Sequence, residues 1–478
     1  MKILYVSSEA SPYAASGGLG DVIGALPYAI TESDESTEAS VIMPLYKTIP
    51  ECYKNRMEKV IDLSFKLSWR STGASIFKLQ EGKVAYYFVE NHDYFDRQMM
   101  YSEFDDGERF AFFSMAVIEY IIASGNIPDI LHANDWQTAL SVIYLKTKYK
   151  DLEKLADIKT VYTIHNIEYQ GKYDMAILGD VFALDNEFKD IVEYDGCINL
   201  TKGAITVSDK VTTVSPNYAC ELEHDFFASG LSHVIRNVRD KMCGVLNGID
   251  YSVFSPESDA EIYYPYTKRA YKSGKAKNKR ALQRELGLAI EDKTPLAVMV
   301  TRLASGKGIE LVLRIAEELL EEKIQLAVLG VGERDYENAL RSLDEKYSNF
   351  KAIIKFDRVL SKKMYAAADI FLMPSKSEPC GLAQMIACSY GAVPIVRAVG
   401  GLYDTIVPYG EENSNGFTFN NYNAHELLFT VKRALDLYSE EKEWQKLVKR
   451  TINSDFSWGS SATEYIKIYN DLVIGKAN

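Results

Sequence analysis

Between Ser375 and Thr405 the sequence sets a carboxylate, Glu378, beside Pro379, Cys380, Gly381 and Leu382, and follows it with Gly400-Gly401-Leu402. An apolar, β-rich run, Ile370 to Met373, precedes this loop and an apolar-periodic segment follows it, so the spacing predicts strand, loop and helix. Pro379 suits the first turn of that helix, and Gly381 lets the main chain approach a ligand closely. Unpaired N–H groups at the helix start would then seat an anion such as phosphate. Glu378, just before them, would bind sugar hydroxyls or face a developing positive charge. An anion cradle beside a carboxylate suits a sugar nucleotide; a capped strand-to-helix turn without ligand is the alternative this loop alone leaves open.

A second group of residues asks for the same chemistry. Arg302 and Lys307 stand at the end of a predicted strand and before a predicted helix, with Gly306 and Gly308 around the lysine. A guanidinium and an ammonium beside a helix N-terminus offset charge building on a departing phosphate; two solvated surface cations are the plainer reading. Phe356, closing the predicted strand Ala352–Phe356, would lie flat against a base or fill the core. His165 follows a strand tip, as a hydrogen-bonded structural histidine or as part of a site, and no Ser or Cys beside it suggests a nucleophile pair. Near the amino end, Gly17, Gly18 and Gly20 precede or open a helix whose first turn holds Asp21, a dipole partner or a ligand group.

The elements that must position these residues alternate strand and helix twice. Ile3–Val6, Asp129–His132, Thr160–Ile164 and Val211–Val214 read as strands of a first parallel sheet, each running into polar residues, with β-rich segments between Ile61 and Glu90 as antiparallel decoration. A second alternation starts at Leu296–Val300 and continues through Gln325–Leu329, Ala352–Phe356, Ile370–Met373 and Val393–Val396. The linker is expected near residue 255, the tail from Ala424 to Leu447 as an amphipathic helix, and Ser460–Leu472 as the last helix. With 478 residues the chain exceeds one core, and 47% hydrophobic and 25% charged residues are ordinary for a globular protein. A net charge of −13 argues against a nucleic-acid partner. No apolar run reaches bilayer length and no signal-peptide core precedes Ile3, so a cytoplasmic protein without membrane partners is expected. The 6 Cys form no Cys-x-x-Cys pair and the 6 His no pair at helical spacing; no metal site is expected.

Seven ordered motifs carry a family resemblance: Gly17-Gly-Leu-x-Asp21, Tyr162-Thr-Ile-His-Asn166, Thr213-Val-Ser-Pro216, Leu246-Asn-Gly-Ile-Asp250, Thr301-Arg-Leu-x-x-x-Lys-Gly308, Ser375-x-x-Glu-Pro-Cys-Gly-Leu382 and Gly400-Gly-Leu-x-Asp-Thr405. The chain resembles the bacterial glycogen synthases and plant starch synthases of glycosyltransferase family 5, from residue 1 to the Phe-Ser-Trp ending at Trp458. The resemblance implies an α/β fold of two Rossmann-like domains facing a cleft, the GT-B arrangement, with the C-terminal helix crossing back to the first domain. It implies an acceptor-side domain over 1–255, a nucleotide-sugar domain over 256–457 and the returning helix over 458–478. The implied reaction is retaining transfer of glucose from ADP-glucose to the non-reducing end of an α-1,4-glucan, glycogen or maltooligosaccharide, without metal or cofactor. By motif, Arg302 and Lys307 would hold the ADP phosphates with Gly18 and the main chain at Cys380, Gly381 and Leu382. Phe356 would stack on adenine, Glu378 would bind the glucose hydroxyls, and His165, Asp21 and Asn247 would line the sugar pocket.

Four positions depart from the family pattern. The family's Lys-x-Gly-Gly-Leu lysine is Ala15 here, its Asp-Trp-His is Asp135-Trp136-Gln137, the Gln before the second-domain lysine is Gly306, and a Thr or Ser after Gly-Leu is Ala383. Losing one cation and one hydroxyl from a phosphate site would cost about 2–4 kcal/mol of transition-state stabilisation apiece. Two alternatives therefore stand beside the synthase: a catalytically weakened glucan-binding or regulatory paralogue, and a family member with another nucleotide-sugar donor.

Overall fold

The computed structural model describes residues 1–475. The chain forms two compact units, one of Met1–Gly248 with the segment from Trp458 onward, the other of Ile249–Ser457. The first crossing precedes the linker expected near 255. Ile249 N–H donates to Phe456 O (2.8 Å) and Phe456 N–H to Tyr251 Oη (3.1 Å), which holds the residues after Gly248 to the second unit.

The first unit holds β1 (Lys2–Val6), β2 (Glu38–Pro44), β3 (Glu58–Leu67), β4 (Arg70–Glu81), β5 (Val84–Glu90), β6 (Ile130–Asn134), β7 (Lys159–Ile164), β8 (Lys172–Asp174), β9 (Glu193–Tyr194), β10 (Cys197–Asn199), β11 (Lys210–Thr213) and β12 (Met242–Gly244). Nine of these make one sheet in the order β12-β11-β7-β6-β1-β2-β5-β4-β3, and β8-β10-β9 make a small antiparallel one. From β12 to β5 every pairing is parallel; β4 and β3 continue it antiparallel, as the segments before Glu90 predict. The difference is written in side chains. β1 and β6 are buried on both faces, as covered parallel strands must be, whereas β3 buries Leu63, Phe65 and Leu67 on one face only. The strand sequence reverses direction across the sheet between β1 and β6, so the loops after these two strands diverge and leave a crevice at their carboxyl ends.

The second unit holds β13 (Leu296–Val300), β14 (Gln325–Leu329), β15 (Phe350–Ile353), β16 (Ile370–Met373), β17 (Val393–Arg397) and β18 (Phe417–Phe419), all parallel, in the order β15-β14-β13-β16-β17-β18. This is the doubly wound order of a Rossmann sheet, with its switch point between β13 and β16. Three expectations need correction. β15 ends at Ile353, not Phe356, because Lys355 N–H turns back onto Ile353 O (3.1 Å). The helix after β16 is Ala383–Ser389, so Pro379 is in the loop and not in the first turn; Gly381 at φ +72° cannot belong to a right-handed helix. The tail predicted as one helix is two, Ala424–Ser439 and Glu441–Asn453.

The last helix, Trp458–Ile474, does return to the first unit, as the resemblance implies. Tyr465 and Tyr469 are buried there, and Tyr469 Oη bonds His132 Nδ1 (2.7 Å) and Tyr5 Oη (3.1 Å).

Candidate functional site

In the second unit the loops after β13 and β16, the two strands flanking the switch point, are knitted together. Lys376 N–H donates to Gly306 O (2.8 Å), and Gly308 sits at φ +80° where a Cβ would meet Pro374 O at 2.3 Å. Only glycine allows both that conformation and that approach. The result is an ion pair across the two motifs: Lys307 Nζ lies 2.8 Å from Glu378 Oε2. Ser375 Oγ donates to the same oxygen (3.0 Å), and Glu378 Oε1 has no protein partner among the described residues. Glu378 is only 8% exposed, and its carbonyl accepts from Gly401 N–H (3.1 Å), which fixes the main chain beside it. Cys380, Gly381 and Leu382 follow in the loop, shaped by Gln384 Nε2 bonded to Cys380 O (3.1 Å) and Gly381 O (2.8 Å).

Arg302 and Phe356 follow β13 and β15 and so stand on the same carboxyl edge. Arg302 is exposed and makes no ion pair among the described residues; Phe356, far from being core, is 80% exposed. A cation pair, a carboxylate with one open oxygen and an exposed ring can bind phosphate, hydroxyls and a planar base.

In the first unit the loops after β1, β6 and β7 carry the polar groups. Asp135, directly after β6, adopts φ 58° and ψ 176°, a region nearly restricted to glycine and costly by about 1–3 kcal/mol. The conformation turns its carboxylate onto the next loop, where Oδ1 accepts His165 N–H (2.7 Å). Burial, with a contribution from Glu9, pushes Asp135 up to about 7 against the opposing main-chain N–H groups of His165 and Asn166. Burial also pushes His165 down to about 3, so its ring is neutral near pH 7. Asn134 Nδ2 donates to Val6 O and His132 O (both 3.2 Å), which turns Asn134 Oδ1 toward His165 Nε2 (2.9 Å). Nε2 therefore carries the proton and Nδ1 is left as an acceptor.

Of the other predicted residues of this unit, Ala15, Gly18 and Asp21 lie in the loop after β1 and the start of its helix, and Asn247 follows β12. Ala15 and Gly18 are exposed; Asp21, in the first turn of the helix Gly18–Ser33, accepts from Ser11 Oγ (3.2 Å). A Cβ on Gly17 or Gly18 would meet nothing within 4 Å, so neither the turn nor packing demands glycine there. Asn247 is 6% exposed and its Oδ1 is buried without a hydrogen-bond partner, a group waiting for a donor. Sequence reasoning passed over Glu9 and Asp135 as site residues. Glu9, buried after β1, accepts Ser16 N–H (2.6 Å), Ser16 Oγ (2.7 Å) and Tyr101 Oη (2.6 Å). An acid between an apolar strand and a glycine loop was the available signal. Among the described residues no group of three or more His, Cys, Asp and Glu could hold a metal ion, and no helix is long and apolar enough to cross a membrane.

Comparison with known proteins identifies the family and the fold. Residues 2–237 match the family model of the starch synthase catalytic domain, and residues 285–451 match that of group 1 glycosyl transferases. The glycogen synthase of Alkaliphilus metalliredigens is 43% identical over 99% of this chain and 100% of its own, and that of Bacillus subtilis 43% identical over 99% and 98%. The catalytic domain of starch synthase IV from Arabidopsis thaliana, solved bound to ADP and acarbose, superposes with TM-score 0.90 at 32% identity, covering 98% of this chain and 99% of that one. A sucrose-phosphate synthase from Thermosynechococcus elongatus, 16% identical over 99% of each chain with TM-score 0.62, shares the fold. The two α/β units are thus those of the GT-B glycosyltransferase fold, and the chain belongs to the family of bacterial glycogen synthases and plant starch synthases.

Proposed function

We propose that the protein is a retaining hexosyltransferase that moves glucose from ADP-glucose to the non-reducing 4-hydroxyl of an α-1,4-glucan, glycogen or maltooligosaccharide, in the cytoplasm and with neither metal nor cofactor. The observation that carries this reading is the 2.8 Å contact of Lys307 with Glu378, which joins two motifs 71 residues apart at the switch point of the second sheet. Lys307 and the unpaired Arg302 meet the charge of the donor diphosphate, and the open Oε1 of Glu378 accepts from glucose hydroxyls. Phe356 offers its ring to the base. In the first unit the neutral His165, through Nδ1, and Asn247, through its orphaned Oδ1, accept from sugar hydroxyls.

In the reaction the bond from glucose C1 to the β-phosphate oxygen breaks and a bond from C1 to the acceptor O4 forms. The acceptor proton passes to the departing phosphate, giving ADP and a glucan one residue longer. Attack on the face from which the phosphate leaves retains configuration, so the protein's work is to hold geometry and stabilise charge. None of the six cysteines forms a disulfide among the described residues, as a reducing compartment leaves them.

The test is incubation of the pure protein with radiolabelled ADP-glucose or UDP-glucose and glycogen, with and without chelator. Incorporation should come chiefly from ADP-glucose, in α-linkage and unaffected by chelation. Incorporation from neither donor overturns the reading, and if Ala15→Lys alone restores it, the chain is the weakened paralogue.

A further inference from the structure

We propose that Trp69 is a docking platform for the α-1,4-glucan, set apart from the reacting residues on the same edge of the first sheet. This rests on the glucan being the acceptor, as proposed above. β5 runs parallel to β2 and β1, and β4 and β3 alternate after it, so the turn from β3 to β4 lies at the carboxyl edge that also holds Glu9, Asp135 and His165. β3 ends the sheet four places from β1. At the usual strand spacing this is about 19 Å along the edge, a distance a polymer spans and a short oligosaccharide does not.

The turn is built to present the indole. Leu67 pairs with Arg70, leaving Ser68 and Trp69 as a two-residue connection, with Ser68 at φ +57° where Asn or Gly is the unstrained choice. Trp69 is 73% exposed, yet it is held. Its Nε1–H donates to the Asp180 carboxylate, and the Arg70 guanidinium lies over one ring face, 4.6 Å from the centroid. Arg70 is itself fixed by Glu108 (3.3 Å), by the Asp180 carboxylate (3.4 Å) and by Asp180 O (2.6 Å). One face of the ring is thus covered and the opposite face is given to solvent.

An indole kept in water forgoes about 1.5–3 kcal/mol of burial, and two contacts, the Asp180 carboxylate and the Arg70 guanidinium, hold it there in one orientation. A pyranose supplies what the arrangement lacks, an apolar C–H face for the open ring and hydroxyls at its edge for Asp180 and Arg70. The net charge of −13 disfavours a polyanion stacked at the same place. A chain bound both here and at the reaction site gains from effective concentration, which raises affinity for long acceptors only.

The test compares parent, Trp69→Ala and Trp69→Tyr in glycogen affinity gels and in glucosyl transfer to glycogen and to maltotriose. Trp69→Ala should weaken glycogen retention about tenfold and raise KM for glycogen in proportion, with KM for maltotriose within about twofold of parent; Trp69→Tyr should stay close to parent. Parent-like glycogen affinity in Trp69→Ala overturns the proposal, and so does an equal loss with maltotriose, which would place Trp69 in the reaction site. If the parent transfers no glucose but is held by glycogen through Trp69, the reaction reading falls and the platform stands.

Discussion

Glu378 gives one carboxylate oxygen to Lys307 and Ser375 and leaves the other without a protein partner among the described residues, so lysine and glutamate are geometrically one unit. Lys307→Met should lower kcat by about 10²–10³, the usual cost of losing one charge-stabilising group, and Glu378→Gln should do the same. Because either change dismantles the shared geometry, the double variant should be scarcely slower than the worse single one. Single-turnover rates on ADP-glucose decide this; additive losses would show two separate contributions. Lys307 and Glu378 were legible in the sequence because both sit on glycine-bounded loops directly after apolar strands. Glu9 carried only the weak local signal of an acid between an apolar strand and a glycine loop, and no local pattern announces its bond to Tyr101, 92 residues further on. Asp135 was hidden for another reason: its role follows from a φ of 58°, which residue type does not disclose.

The last helix is locked to the first sheet by a buried polar chain. His132 on β6 bonds Tyr469 Oη through Nδ1 (2.7 Å) and Thr163 Oγ1 on β7 through Nε2 (2.5 Å), with Tyr5 of β1 and Tyr465 of the helix against its ring. Burial, with His165 adding to it, pushes His132 from 6.5 down to about 3. The unfolded chain therefore takes up a proton that the folded chain refuses, so this stability is whole above about pH 6.5 and drains away as pH falls toward 3. Urea titrations should show about 2 kcal/mol lost through His132 between pH 7.5 and 5, with a like contribution from His165. His132→Gln should be less stable at pH 7.5 yet show a shallower loss, and a parallel loss would refute the assignment. Strands such as Leu296–Val300 were readable to the residue because a covered parallel strand is a bounded apolar run. The end of β15 was not, since apolar Phe356 extends the pattern while the turn at Lys355 sends it into solvent. Nor was the break at Glu440, because periodicity continues across it.

Across the whole molecule the two strand–helix alternations were visible in sequence order, but ownership of the last helix was not. Amphipathicity says that a helix packs, not on what, and only the family resemblance assigned it to the first domain. The structure makes that assignment energetic. Ser461 Oγ donates to Leu246 O, and Trp458, Ala462, Tyr465 and Tyr469 are buried in the first unit, whereas the helix Glu441–Asn453 is completed within the second. A chain ending at Ser457 would uncover Tyr5 and leave His132 Nδ1 without its partner, several kcal/mol of lost burial and hydrogen bonding. Calorimetry should then show one transition lowered by about 10 °C or more while the other stays in place, and limited proteolysis should digest the first unit and spare a fragment near 249–457. Glucosyl transfer should fall with the first transition, because Asp135 and His165 follow β6 and β7, two of the strands bonded through His132 to that helix. Loss of the second unit instead would mean that the helix stabilises the lobe from which the chain departs, not the one to which it returns.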